Sequence, residues 1–280
     1  MTEMSELAAP RIIELTSGPD TRFTWLSDLR RHLDVLMVLA RKDFQTRYKR
    51  ASLGLAWAVV VPVFQGLIMA AIFSRVVKSA GGNGYADYVI SGMFAFAYFS
   101  QTLGTAVTSI VDGASLSDKV WFPRILLVTV PALANLVGLA ITFAFLLAAL
   151  PLLGGRYSIH LLLLVPALLL LVSFTTALAL VLSALHVYFR DVKFLVQAAL
   201  MVWIYLTPVI YPISLVHRFA PFVIANPMTG IVALVHLATL GTSRGAVLVP
   251  LLISVGTTAL LAIAGAEAQR RHDRLFVDLL

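Results

Sequence analysis

Six stretches of this sequence, residues 53–77, 88–111, 125–150, 159–185, 192–211 and 246–268, approach or exceed the run of about 20 mostly apolar residues that a helix needs to cross roughly 30 Å of hydrocarbon. So many such runs within 280 residues leave little chain for anything else. A water-soluble domain is about 45–50% apolar and about 25% charged, whereas here 60% of residues are hydrophobic and 12% charged, with a mean hydropathy of +0.92. The expected fold class is an all-α integral membrane protein with six transmembrane helices. An even number of spans puts both termini on one side.

Charge says which side. Of the 21 Lys and Arg residues, 16 fall in segments 1–52, 112–124, 186–193 and 269–280, and 5 on the opposite surfaces. The positive-inside bias therefore places both termini in the cytoplasm; the expected location is the plasma (inner) membrane. The start, MTEMSELAAPRIIELTSGPD, lacks the charged-then-apolar pattern of a signal peptide, so span one is expected to act as its own insertion signal. The net charge of +7 punctuates apolar runs and forms no continuous basic face, which argues against nucleic acid as a partner. Without cysteine there are no disulfides, thiolate metal sites or cysteine nucleophiles.

Four regions follow: a polar tail over 1–26, an amphipathic interfacial helix over 27–52, the six-span domain over 53–268, and a cytoplasmic tail over 269–280. In SDLRRHLDVLMVLARKDFQTRYKR, Leu29, Leu33, Leu36, Val38, Leu39 and Ala40 form an apolar stripe that Phe44 and Tyr48 continue, with Ser27 as candidate N-cap. Arg30, Arg31, Arg41, Lys42, Arg47 and Lys49 complement it, the composition of a helix lying on the inner leaflet. Pro62, Pro131 and Pro166 interrupt spans one, three and four and predict kinks. MVWIYLTPVIYPISLV differs, because Pro208 and Pro212, followed by Pro221 and Pro227, rule out one straight helix. Irregular backbone at membrane depth is tolerated only inside protein or beside a water-filled cavity. A re-entrant outer hairpin between spans five and six is expected.

Several chemistries are missing. Ionisable groups within spans are costly and mark function, yet Asp87, Asp112, Asp118, Asp191 and Glu267 all fall near span ends. His160, His186, His217 and His236 are scattered without metal-ligand spacing. No GxxxxGK[ST] loop is present to cradle nucleotide phosphates. The chain is expected to have no catalytic residues, no metal and no cofactor of its own. Uphill transport would draw its energy from another chain.

RYKRASLGLAWAVVVP joins the basic interfacial helix to span one through Leu53–Gly54, and this pattern resembles the permease subunit of ABC-2 exporters. SDKVWFPRILL after span two is similar to that family's first inner segment, VYFRDVKFL after span four to its second inner loop, and TPVIYP with NPMTGIV to its outer segment. Within the family the likeness is to permeases that export polyprenyl-diphosphate-linked polysaccharides such as O-antigen, teichoic acid and galactan. The resemblance implies a homodimer of this chain with two copies of a separate ABC ATPase that binds ATP and Mg, a lipid-linked glycan substrate and surrounding membrane lipids.

It also implies roles. Arg47, Lys49, Arg50, Leu53 and Gly54 would lie at the substrate entrance. The three basic residues suit either anchorage to anionic lipid or reception of the diphosphate, for which Arg offers paired donors. Tyr88, Phe94, Phe96, Tyr98 and Phe99, with Trp203 and Tyr205, are channel-lining candidates; rings of this kind serve equally in packing. Lys119, Trp121, Phe122, Arg124, Arg190 and Asp191 would couple to the ATPase, and Pro208, Tyr211, Pro212, Asn226 and Pro227 would form an outer gate. The competing readings are an ABC-2 exporter of a drug or another lipid, a membrane-bound transferase and a secondary transporter; the last two are weakened by the missing intramembrane acids. Arg outnumbers Lys sixteen to five, a bias of GC-rich genomes that makes actinobacterial galactan the specific expectation.

Overall fold

The computed structural model describes residues 33–48, 54–76, 85–113, 125–151, 157–216, 218–241 and 247–272; among them the only regular structure is helix, with no strand. The principal helices are α1 (Leu33–Tyr48), α2 (Trp57–Val76), α3 (Tyr85–Ala106), α4 (Ser109–Asp112), α5 (Ile125–Ala149), α6 (Leu164–Tyr188), α7 (Val192–Leu206), α8 (Ala220–Ala225), α9 (Pro227–Leu240) and α10 (Leu248–His272). A 3₁₀ turn, Ile159–Leu163, runs directly into α6. Among the described residues three helical segments are long and apolar enough to cross a membrane: Ile125–Ala149, Ile159–Tyr188 and Leu248–Arg271. α3 has the length, 22 residues, but its sequence YADYVISGMFAFAYFSQTLGTA is rich in tyrosine and small polar residues. Its position explains the composition. α3 packs against α2, α5, α6, α7 and α9, so its side chains meet protein on most sides.

Aromatic rings fill that centre. Phe99 of α3 is fully buried, stacked on Phe174 of α6 at 5.8 Å between centroids and edge-on to Trp203 of α7 at 5.2 Å. Phe94 meets Phe143 of α5 edge-on at 6.1 Å. In lipid such packing matters more than in water, because acyl chains are as apolar as the side chains they would replace and helices associate by fit rather than by hydrophobic expulsion. The longest interface shows this. α10 runs along α6, where Gly265 lies so close that an added Cβ would sit 2.7 Å from Leu180 Cβ, and Gln269 donates to the Leu180 carbonyl at 3.0 Å and to Ser183 Oγ at 3.1 Å.

Of the helix expected over 27–52, the described part is α1, which packs on α5. Its buried stripe is narrower than the sequence suggests: Leu36 and Ala40 are buried, whereas Leu33, Val38 and Met37 are exposed. Two apolar sides are thus presented, one to α5 and one outward, with Arg41 and Lys42 exposed. Gly54, with φ of +49°, opens the 3₁₀ turn Gly54–Ala56 before α2. Only glycine adopts that left-handed backbone without cost.

α7 ends where proline chemistry requires. Pro208 restricts the preceding residue to extended backbone, and Thr207 obliges with φ −101° and ψ 135°. The chain then turns back through α8 and restarts at Pro227, the first residue of α9 and preceded by Asn226 as N-cap. α9 ends at Gly241, φ +68°, beside Ser158 and His160.

Candidate functional site

A cavity of about 590 Å³ lies between α2, α3, α5 and α7. Trp57, Val61 and Pro62 of α2 form one wall, Met93, Phe94, Phe96 and Tyr98 of α3 a second, Leu139 of α5 a third, and Leu200, Met201 and Ile204 of α7 a fourth. Polar groups are set into this apolar lining: Gln65 from α2, Ser100 and Gln101 from α3, Asn135 and Thr142 from α5. Trp57, Val61, Gln65, Gln101 and Met201 are all exposed, so the cavity is open at the surface of the chain.

These polar groups are not equally available. Thr142 donates to the Gly138 and Leu139 carbonyls of its own helix at 3.0 and 2.9 Å, and Ser100 to Ala97 at 3.2 Å. Asn135 is buried and donates to Thr102 Oγ1 at 2.9 Å, while the Tyr98 hydroxyl donates to the Ala132 carbonyl at 3.0 Å. Gln65 and Gln101 reach the open side. A carboxamide both donates and accepts, which suits the hydroxyls of a sugar, and the rings of Trp57, Phe96 and Tyr98 offer flat apolar faces beside them.

A second constellation pins the irregular segment after α7. Tyr88 of α3 donates to the carbonyls of Pro208 and Tyr211, at 2.8 and 3.0 Å, and Tyr85 to that of Ile210 at 2.7 Å. Two tyrosine hydroxyls thereby serve three carbonyls of non-helical backbone, that of Tyr88 being shared between two. The Tyr88 ring stacks on His236 of α9 at 3.7 Å, and Gly92 leaves room for His236, since a Cβ there would lie 2.9 Å from its Nε2. At the far end of that segment Asn226 accepts from Trp203 Nε1 at 2.9 Å and from the Met228 amide at 3.0 Å, and donates to Leu206 O and Thr207 Oγ1 at 3.2 and 3.0 Å. Tyr211 completes the set by donating to the Tyr205 carbonyl at 2.8 Å.

The sequence-predicted residues divide accordingly. Of the channel candidates, Phe94, Phe96 and Tyr98 line the cavity. Phe99 and Trp203 belong to the aromatic core, Tyr88 ties down the irregular segment after α7, and Tyr205 is exposed on α7 outside the cavity lining. The outer-gate candidates Pro208, Tyr211, Pro212, Asn226 and Pro227 share one segment, and Asn226 and Tyr211 are its principal ties. Arg190 and Asp191 are exposed on the short turn between α6 and α7. Lys119, Trp121, Phe122 and Arg124, together with Lys49, Arg50, Leu53 and the Arg47 side chain, lie outside the described residues; Arg47 itself falls in the last turn of α1. Sequence reasoning missed Gln65, Gln101, Asn135 and Tyr85, and read His236 only as one of four scattered histidines. The three amides carried a readable signal, since polar side chains inside apolar spans are costly and seldom idle.

Three bilayer-length apolar helices in an all-helical bundle define an integral membrane protein. The chain belongs to the ABC-2 type transporter family, whose model matches residues 34–238, a span that takes in both constellations. It is 27% identical over 187 residues to the O-antigen export system permease protein RfbA of Myxococcus xanthus, covering 67% of this chain and 72% of that protein. Two proteins of the same name from Klebsiella pneumoniae are each 26% identical, over 210 and 201 residues, covering 71% of this chain and 77% of each. Membership makes the chain a transport subunit rather than an enzyme.

Proposed function

We propose that this chain is the permease of an ATP-driven exporter that moves a polyprenyl-diphosphate-linked polysaccharide, specifically a galactan, from the cytoplasmic to the outer face of the plasma membrane. The observation that carries the reading is the surface-open cavity between α2, α3, α5 and α7, lined by rings and amides, in a chain whose relatives are called O-antigen export permeases. A second copy of the chain would close the open side and double the lining into a channel. α2, α3 and α7 complete six spans with α5, α6 and α10, and α8 with α9 forms the re-entrant outer hairpin, a reading supported by the return of Asn226 to Trp203. Both termini then face the cytoplasm, as the charge bias requires.

In this scheme two copies of an ABC ATPase bind ATP and Mg and dock on the inner loops, including the exposed Arg190–Asp191 turn. Arg47, Lys49 and Arg50 receive the diphosphate by charge-assisted hydrogen bonds, stronger than neutral ones. The lipid then stays at the bilayer while the glycan enters the cavity, and the hairpin tied by Tyr88 and Asn226 moves to release it. A test is to delete this chain from cells that keep its ATPase and glycosyltransferases. Lipid-linked polymer at the outer face is expected to fall at least tenfold and to return with the plasmid-borne gene. Undiminished surface polymer would refute the reading. The purified chain alone is expected to show no ATP turnover, which appears when the ATPase is added.

A further inference from the structure

We infer that the cavity selects uncharged glycans, so that the exported polymer carries no carboxylate or phosphate in its repeating unit; this rests on the export reading above. The cavity wall is unusual for a site that handles so polar a molecule. Among the described residues it includes no Asp, Glu, Lys, Arg or His. The four helices that build it hold only three charged residues, Arg75, Asp87 and Lys193, each within a terminal turn, and none is among the described lining. Asp87 is fully buried in the protein.

What the wall does offer is neutral. Gln65, Gln101 and Asn135 contribute one carboxamide from each of three helices, and Trp57, Phe96 and Tyr98 contribute ring faces. Carboxamides pair with hydroxyls, which also donate and accept. Anionic groups are recognised instead by Arg, Lys or clustered backbone donors. An anion moved from water into this apolar lining would lose its hydration with no countercharge to replace it. A polymer with a charge in every repeat would incur that loss repeatedly, whereas a neutral hexose chain would not. A volume of about 590 Å³ admits a short run of rings at a time, being within the range of about 300–1,000 Å³ for ligand pockets. A symmetric second copy would add the same uncharged wall.

The test uses the full exporter, this chain with its ATPase, in cells that make one of two matched polymers on the same polyprenyl diphosphate. One is a galactan; the other is a galacturonan, which differs in carrying a carboxylate in place of the hydroxymethyl group. Galactan is expected at the outer face in at least tenfold excess over galacturonan. Gln101→Lys is expected to shift that ratio toward galacturonan at least threefold, and Gln101→Glu to leave galacturonan at background. Equal export of the two polymers by the unaltered chain would overturn the inference while leaving polysaccharide export intact, and so would a ratio unmoved by Gln101→Lys. Export of neither by an assembled complex would overturn the export reading and this inference with it.

Discussion

Asn226→Ala is expected to destabilise the protein by about 3 kcal/mol and to abolish export. One side chain ties together the end of α7, the start of α9 and the Trp203 indole through four hydrogen bonds. Losing an N-cap costs about 1 kcal/mol, and leaving a buried donor unmet costs about 1–3 kcal/mol more. Asn226→Ser separates the two contributions, because serine still caps the Met228 amide but cannot also bridge to Trp203. The serine variant should recover about 1 kcal/mol of stability with little export. Denaturant unfolding in detergent, followed by tryptophan fluorescence, supplies the comparison. An alanine variant within about 0.5 kcal/mol of the unaltered chain would show that the segment between α7 and α9 is held by something else.

Gly230→Ala should be comparably damaging for a different reason. A Cβ on Gly230 would lie 2.3 Å from the Pro250 carbonyl oxygen and 2.3 Å from Ser254 Oγ, and the first of these is backbone that cannot swing aside. Ser254 also donates to the Pro227 carbonyl across the same contact. α9 and α10 would have to separate, at an expected cost of about 3 kcal/mol, more for Gly230→Leu. Gly256 on α10 is the control, since nothing lies within 4 Å of its added Cβ. Gly256→Ala should stay within about 0.5 kcal/mol of the starting stability. Equal melting temperatures for the two alanine variants would contradict the close α9–α10 contact.

Much of the architecture was readable because lipid and proline impose simple rules. Apolar runs marked helices, and Pro208, Pro212 and Pro227 marked the break that the structure places between Leu206 and Pro227. The facing of each helix was much less readable. α3 is buried on almost every side, so no apolar stripe distinguishes the cavity from the core. Phe96 and Phe99 differ by three positions, yet one lines the cavity and the other is stacked against Phe174. In α1 the sequence stripe included Val38, which the structure exposes, because Leu36 and Ala40, not Val38, are the positions buried where that helix packs on α5. Gly230 looked like any other glycine; its meaning comes from a helix that begins 18 residues later.

The most direct test of the central claim asks whether polymer passes through the cavity. The sequence contains no cysteine, so Gln101→Cys introduces a single thiol on the exposed side of the cavity wall. In membranes carrying the complete exporter, modification of that thiol with a bulky water-soluble maleimide is compared with no modification of the same variant. Ile159→Cys, at an exposed position outside the cavity, serves as the control. The account predicts that modification at 101 cuts delivery of lipid-linked glycan to the outer face at least tenfold, and that modification at 159 leaves it unchanged. Complete modification at 101 with undiminished delivery would contradict it.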